Sequence, residues 1–354
     1  LESGRYRPDE VVCGLAKAQC DCRLAHYASL ARKALDEAGY EEVPIVTTDT
    51  DGDTKNMHPG FKLGTRFELR MLWGLAIVDA LEDLRRRIRP YEVTPGECDA
   101  LFDREVDRIA EALERSSRHA LAAMEEAVER FRRVEIDRPE ERPRVFIIGE
   151  FLMNYHRGSN NDIERYLEAN GMEVVLPHIL DVFRRDFMRM KSEQERFHVR
   201  YPVLERFFNS ITDSLFDYAL DKVDRIAGGH PLYERKERLP EVAHYARPII
   251  DDTFTSGEGW MIAGEILHNA ELGIDSFVII QPFGCLPNHV TGRGLLKRIK
   301  RLHPEIQILS LDYDPDTSFA NIENRLQMLV VNALERRRLR EGTQAQGPST
   351  AAGA

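Results

Sequence analysis

The stretch Gln281-Pro282-Phe283-Gly284-Cys285-Leu286-Pro287-Asn288-His289 joins an apolar run, residues 277–280, to a helical pattern over residues 294–302. A thiol at such a turn faces the unpaired N–H groups and positive dipole end of the following helix, which lower a thiol pKa and stabilise anions. Pro282 and Pro287 stiffen the turn, and Gly284 permits close backbone approach. Cys285 is therefore a candidate thiolate or metal ligand, against the alternative of a small buried hydrophobe. A second thiol group, Cys20-Asp21-Cys22, also follows a strand-like run and precedes a helical pattern, residues 23–38. Soft thiolates on two strand-to-helix turns favour an iron–sulfur centre over zinc, which would call for further paired thiols. Cys13 falls inside an apolar strand run and Cys98 at a helix start, so both read as structural.

Other motifs carry less. Residues 47–54, Thr-Thr-Asp-Thr-Asp-Gly-Asp-Thr, resemble a calcium loop, but Gly52 stands at the fourth position rather than the sixth and no glutamate occupies the twelfth. A solvated turn is the expectation there. Gly292-Arg293-Gly294 lacks the third glycine of a dinucleotide fingerprint, and no Gly-x-x-x-x-Gly-Lys-Ser/Thr loop occurs. Glu258, in Thr-Ser-Gly-Glu-Gly-Trp, either favours the dipole of the helix it precedes or faces a ligand crevice. His289 is either a hydrogen-bonded loop histidine or an acid–base group.

The elements that must position these residues follow from the hydrophobic pattern. Apolar runs at 145–148, 173–176, 277–281 and 306–311 alternate with helical patterns at 162–170, 258–272, 294–302 and 321–340. Continuous apolar strands separated by helices imply an α/β fold with a parallel sheet covered on both faces. Its ligands are expected beyond the carboxyl ends of the strands. There the sequence places Glu150, Asn154, His156, Asn160 and Asn161, then His178, then Cys285, Asn288 and His289, then Asp312 and Asp314. The expected divisions are a partial α/β domain with the thiol loop at 1–60 and a helical segment at 61–138. A four-stranded parallel α/β domain follows at 139–341, with a helical insertion at about 180–250, and a disordered tail at 342–354. The helices of 61–138 read as scaffold with charges on their outer face, and Arg138–Arg142 reads as a linker.

Composition narrows the functions. The 354 residues are 42% hydrophobic and 31% charged, with a net charge of −11. That acidity excludes a general nucleic-acid binder, whose affinity rests on basic surface. No apolar run approaches the ~20 residues of a membrane span. Neither a secretory leader nor a disulfide framework is read, so a cytoplasmic chain is expected. Because it opens on Leu1, the chain is expected to be part of a longer protein.

Residues 281–318, from Gln-Pro-Phe-Gly-Cys-Leu-Pro-Asn-His to Asp-Tyr-Asp-Pro-Asp-Thr-Ser, resemble the C-terminal part of large proteins related to the 2-hydroxyacyl-CoA dehydratase activases. So do residues 149–177, 257–266, 61–102 and 22–47, in order. This resemblance implies flavodoxin-like α/β domains and an iron–sulfur cluster, either 4Fe–4S or double-cubane, held by cysteines at strand ends. Cys22 and Cys285 match the family's cysteine positions. Cys20 stands where relatives carry a glycine-rich run and is an added candidate ligand. A further family cysteine is expected upstream of Leu1. Such proteins join ATPase activase modules to this segment, so ATP is expected only in a separate activase module, the implied partner; a homodimer is a second possibility. On this reading Glu150 and His289 are candidate catalytic groups. Asn160, Thr291 and Gly292 are candidate cofactor-binding residues, the last two at a helix start that would stabilise cluster charge. Two rival readings stay open: a docking scaffold for the activase without its own metal, and a thiol-based acyl-CoA enzyme with Cys285 as nucleophile.

Overall fold

The computed structural model describes residues 1–15, 26–47, 64–314 and 318–345. The chain is an α/β protein with two parallel sheets and a large helical segment. The first sheet pairs β1 (Cys13–Leu15) with β2 (Ile45–Thr47) across the crossover helix α1 (Tyr27–Glu37). Gly39, in the left-handed region, lets the chain turn out of α1, where a side chain would be strained.

The helical segment contains α2 (Thr65–Ile88), α3 (Glu97–Arg115) and α4 (Ser117–Phe131). Its break falls at Ser116, as the sequence suggested. The extended Ser116 caps α4 by accepting from the His119 amide. Ile77, Leu81, Leu84, Met124 and Phe131 are fully buried and form its core.

The main sheet holds β3 (Arg144–Gly149), β4 (Glu173–Val175), β5 (Ser276–Pro282) and β6 (Gln307–Tyr313). Its order is β4-β3-β5-β6 and every pairing is parallel. Between β3 and β4 lie α5 (Phe151–Tyr155), α6 (Arg157–Asn160) and α7 (Ile163–Ala169). Between β4 and β5 come α8 (Ile179–Phe197), α9 (Val203–Ala227), α10 (Leu239–Ala246) and α11 (Met261–Glu271). The chain closes with α12 (Leu296–Leu302) before β6 and α13 (Phe319–Ala345) after it. Alternate residues of β3 and β5 serve opposite cores. Val145, Ile147, Val278 and Ile280 meet α7 and α13 on one face. Phe146, Ile148, Phe277 and Ile279 meet α11 and α12 on the other. That two-sided burial is why these strands read as unbroken apolar runs.

Three expectations change. Helix α13 continues to Ala345, past Gly342 where the tail was expected to begin; residues 346–354 lie outside the described residues. The charged face of the helical segment is not a solvent face throughout. Asp79, Arg85, Arg86 and Arg89 of this segment are buried. Arg86 pairs with Glu164 at 3.0 Å and Arg89 with Glu168 at 2.6 Å, because α2 and the turn after it pack on α7. Nor is Arg138–Arg142 a free linker: the Arg142 amide donates to Tyr91 Oη at 2.8 Å and its guanidinium to the Glu168 carbonyl at 2.9 Å.

Candidate functional site

The chain leaves β3 toward β4 on one side and returns to β5 on the other. The strand order therefore reverses between β3 and β5, and their carboxyl ends flank the crevice where ligands of open parallel sheets bind. Four side chains meet there: Glu150, Glu258, Cys285 and Asn288. The approach is close, since a Cβ on Gly149 would lie 1.8 Å from the Ile280 carbonyl oxygen. The Glu150 amide donates to that same oxygen at 2.9 Å. On the opposite wall Gly257, in the left-handed region, packs against Pro287, where a Cβ would come within 2.4 Å of the ring.

Glu258 ties the three loops together. One carboxylate oxygen accepts from the Phe151 amide at 2.8 Å and the other from Asn288 Nδ2 at 2.6 Å. Of its two sequence readings, the structure selects the crevice. The second hydrogen of the Asn288 amide points at Cys285 Sγ, 3.3 Å away. Glu150 accepts from the Met153 amide at 3.0 Å and caps α5. Burial raises the carboxyl pKa of both acids. For Glu258 the charge of Glu150 is the second cause, and for Glu150 the Met153 and Leu152 amides oppose the rise. The site thus offers a thiol with an amide donor beside two buried carboxyls of raised pKa. Cys98, by contrast, is buried, and its thiol is pushed up to about 12 by burial first and Glu92 second, so it is inert.

The other candidates are placed as follows. His289 is half-buried; Nδ1 lies 2.7 Å from the Cys285 carbonyl oxygen, so this nitrogen carries the proton and donates. Its Nε2 lies 3.6 Å from Asp312 Oδ1, and Asp312 in turn holds Gln281 Nε2 at 2.6 Å and Arg293 at 2.8 Å. Asn160 is buried and turned inward, donating to the Met153 carbonyl at 2.7 Å, while its own carbonyl accepts from Tyr313 Oη at 3.2 Å. It braces the loop after β3 against the end of β6. The expected open helix start at Thr291 and Gly292 is replaced by a π turn over Asn288–Gly292, a 3-10 turn over Arg293–Leu295, and only then α12. Thr291 is buried with its hydroxyl donated to the Pro287 carbonyl at 2.8 Å, and Gly292 packs on Ile279 and Ile262. The wide turn exists because it seats these two small residues under β5 and α11. Four buried amide oxygens near the strand ends, on Asn154, Asn160, Gln281 and Asn288, accept no hydrogen bond from the described residues. Such atoms are costly unless a donor reaches them.

Cys20, Cys22 and the calcium-like loop after Thr47 lie outside the described residues. Among the described residues no group of three His, Cys, Asp or Glu side chains is arranged to hold a metal ion. Cys285 is, among the described residues, the only cysteine at this edge of the main sheet.

Sequence reasoning missed a second constellation, where α2 and α11 meet the end of β4. Asp79 accepts from the Ile179 and Leu180 amides, both at 3.0 Å, and so caps α8 from a helix a hundred positions earlier. His178 Nε2 lies 2.7 Å from Asp83, which also accepts from Lys236 at 2.7 Å. Burial works against the Asp83 anion, yet Lys236 and His178 hold its pKa well below the usual range. Burial raises Asp79 to about 6 and Glu265 to about 7, the latter also through Asp181. Asp181, Lys236, Glu265, His268 and Asn269 line a cavity of about 80 Å³. The available signal was Glu265-x-x-His268-Asn269 inside an otherwise apolar helical stretch. Comparison with family models, curated proteins and solved structures returned no match, so the resemblance rests on the quoted residues alone.

Proposed function

We propose that this chain is the cluster-bearing segment of an ATP-dependent, low-potential electron-transfer system related to the 2-hydroxyacyl-CoA dehydratases and their activases, acting in the cytoplasm. The observation that carries the reading is Cys285 at the sheet's reversal point, with Asn288 Nδ2 at 3.3 Å from its sulfur and Glu258 fixing that amide. Amide donors to a cysteine sulfur stabilise the thiolate form, the form that ligates iron, and fix the orientation of the ligand. Cys285 would be one ligand, with Cys22 and Cys20 the proposed others. When bound, the cluster supplies one-electron chemistry. Glu150 and Glu258, whose pKa values burial raises, would stand beside it as the site's acid–base groups. His289, fixed through Nδ1, would orient Asp312 and the loop rather than ligate iron. ATP hydrolysis belongs in this reading to a separate activase module that docks on the same segment.

The test is anaerobic expression followed by iron and acid-labile sulfide analysis of the wild type and of Cys285→Ala. A 4Fe–4S centre predicts about four irons and four sulfides per cluster and a broad visible absorbance. The variant should lose both while keeping its far-UV circular dichroism. A colourless, iron-free protein, also when extended upstream of Leu1, would remove the cluster and leave a docking scaffold for the ATPase module.

A further inference from the structure

Helix α9 carries a second organised surface. Its C-terminal half is seated in the helical core through Phe216, Ala219, Leu220, Val223 and Ala227. Its N-terminal half projects with the end of α8, and there Leu204, Phe208, Ile211, Leu215 and Tyr218 follow one another at spacings of four, three, four and three residues. That is the a/d pattern of a helix–helix seam, sustained over two heptads. These five side chains are nevertheless between 37% and 65% exposed, and the flanking Val203 and Phe207 are 80% and 58% exposed. The seam is turned from the core side: residues 216, 219, 220 and 223 centre roughly 110° around the helix from it. Glu205, Arg206, Asp213 and Asp217 fall off the seam, which carries no charge until Lys222. Lys222, the next position of the repeat, lies over the Tyr218 ring at 5.5 Å and ends the apolar run.

We infer that this seam is the contact surface for a second copy of the chain, an antiparallel pairing of α9 with α9 about a two-fold axis. The area fits. At about 150–250 Å² for each large side chain, the seven exposed residues offer roughly 800 Å² per copy, the share each partner contributes to a standard-size interface. Its composition fits as well, with aromatic residues concentrated and charge excluded from the centre. The repeat is also self-complementary. An axis between Phe208 and Ile211 sets Phe208 against Ile211 of the other copy and Leu204 against Leu215. These are the a-against-d layers that an antiparallel seam requires, and the symmetry repeats each contact twice. The antiparallel sense carries the two α/β bodies to opposite ends of the contact. A lipid surface is the weaker occupant, because Glu205, Asp213, Asp217 and Asp221 make this helix acidic where membrane-seated helices are basic.

The experiment is light scattering coupled to size exclusion of the full chain at 1–100 µM, with Ile211→Glu and Leu204→Glu as variants. Both positions are substantially exposed, so circular dichroism should be unchanged in at least one of them. The expected result is a wild-type dimer, with apparent dissociation constants for the variants weakened at least 100-fold. In a mixture of Phe208→Cys and Ile211→Cys chains, oxidation should link unlike chains in excess over like ones. A wild type that stays monomeric throughout, variants that dimerise like the wild type, or like-chain links that predominate would each overturn the proposal. So would monomers that instead sediment with anionic vesicles.

Discussion

Replacing Glu265 by Gln isolates the cost of ionising one carboxyl inside the wall between α11 and the sheet. Glu265 is 7% exposed and faces Asp181, Lys236 and His178, with Asn269 Nδ2 donating to Oε2 at 3.1 Å. Burial first, and the Asp181 charge second, raise it from 4.5 to about 7. A folded pKa above the unfolded one means that the native state holds a proton the unfolded chain has released. Stability is therefore fully present below pH 4.5 and is lost as pH rises through about 7. At 1.36 kcal/mol per unit, the loss is about 3 kcal/mol by pH 8 and about 1 kcal/mol at pH 5. Gln keeps an oxygen for Asn269 but never ionises. Its pH-independent packing cost is the same at every pH and cancels when two pH values are compared. Urea unfolding of wild type and Glu265→Gln from pH 5 to 8 should show the variant gaining about 2 kcal/mol on the wild type across that range. Parallel pH curves for the two proteins would refute the burial argument.

Further outcomes are expected at three positions. Gly149→Ala puts a methyl 1.8 Å from the Ile280 carbonyl oxygen, so β3 and β5 must separate; thermal unfolding should show a loss above about 3 kcal/mol or no folded protein at all. Glu173, with a side chain 1% exposed, answers Arg87, Arg144 and Tyr91, and Glu173→Ala should cost about 1.5–3 kcal/mol in urea unfolding, because Tyr91 loses its acceptor while Arg87 and Arg144 keep only Glu234. Asp79→Ala removes the acceptor for two amides at the start of α8 and should cost about 1–2 kcal/mol at pH 5, below the raised pKa of about 6, and less at pH 8, read by the same method.

The sheet was legible because its strands are buried on both faces. Residues 145–148 and 277–281 could hardly be anything but central strands, and Gly39, Gly171 and Gly273, all left-handed, marked the ends of their helices. The short helix α5 was hidden by its five-residue length and α6 by its polar composition. At the candidate site, the topological rule brought the strand-end residues to one edge, but their roles depended on partners distant in sequence. Glu258 turned to the crevice because the Phe151 amide, 107 positions earlier, and Asn288, 30 later, both reach it. Nothing local announces that. Thr291 and Gly292 suggested a helix start because the sequence does not distinguish an open N-terminus from a π turn packed under a strand. The Asp79, Asp83 and Glu265 constellation escaped because periodicity assigns charged positions to solvent, whereas here a second layer covers them.

The long excursion between the two central strands also bears on how the protein is made. Val145 pairs with Ser276, and β4 with the intervening loops and helices must all be synthesised before that register can close. At ribosomal rates of roughly 5–20 residues per second, β3 waits on the order of ten seconds with only the three-residue β4 to cover one edge. During that interval its apolar face is open to mispairing, and such high contact order slows closure further. Trimming the exposed junction between α8 and α9, with α11 left on the sheet, should therefore speed refolding and improve soluble yield.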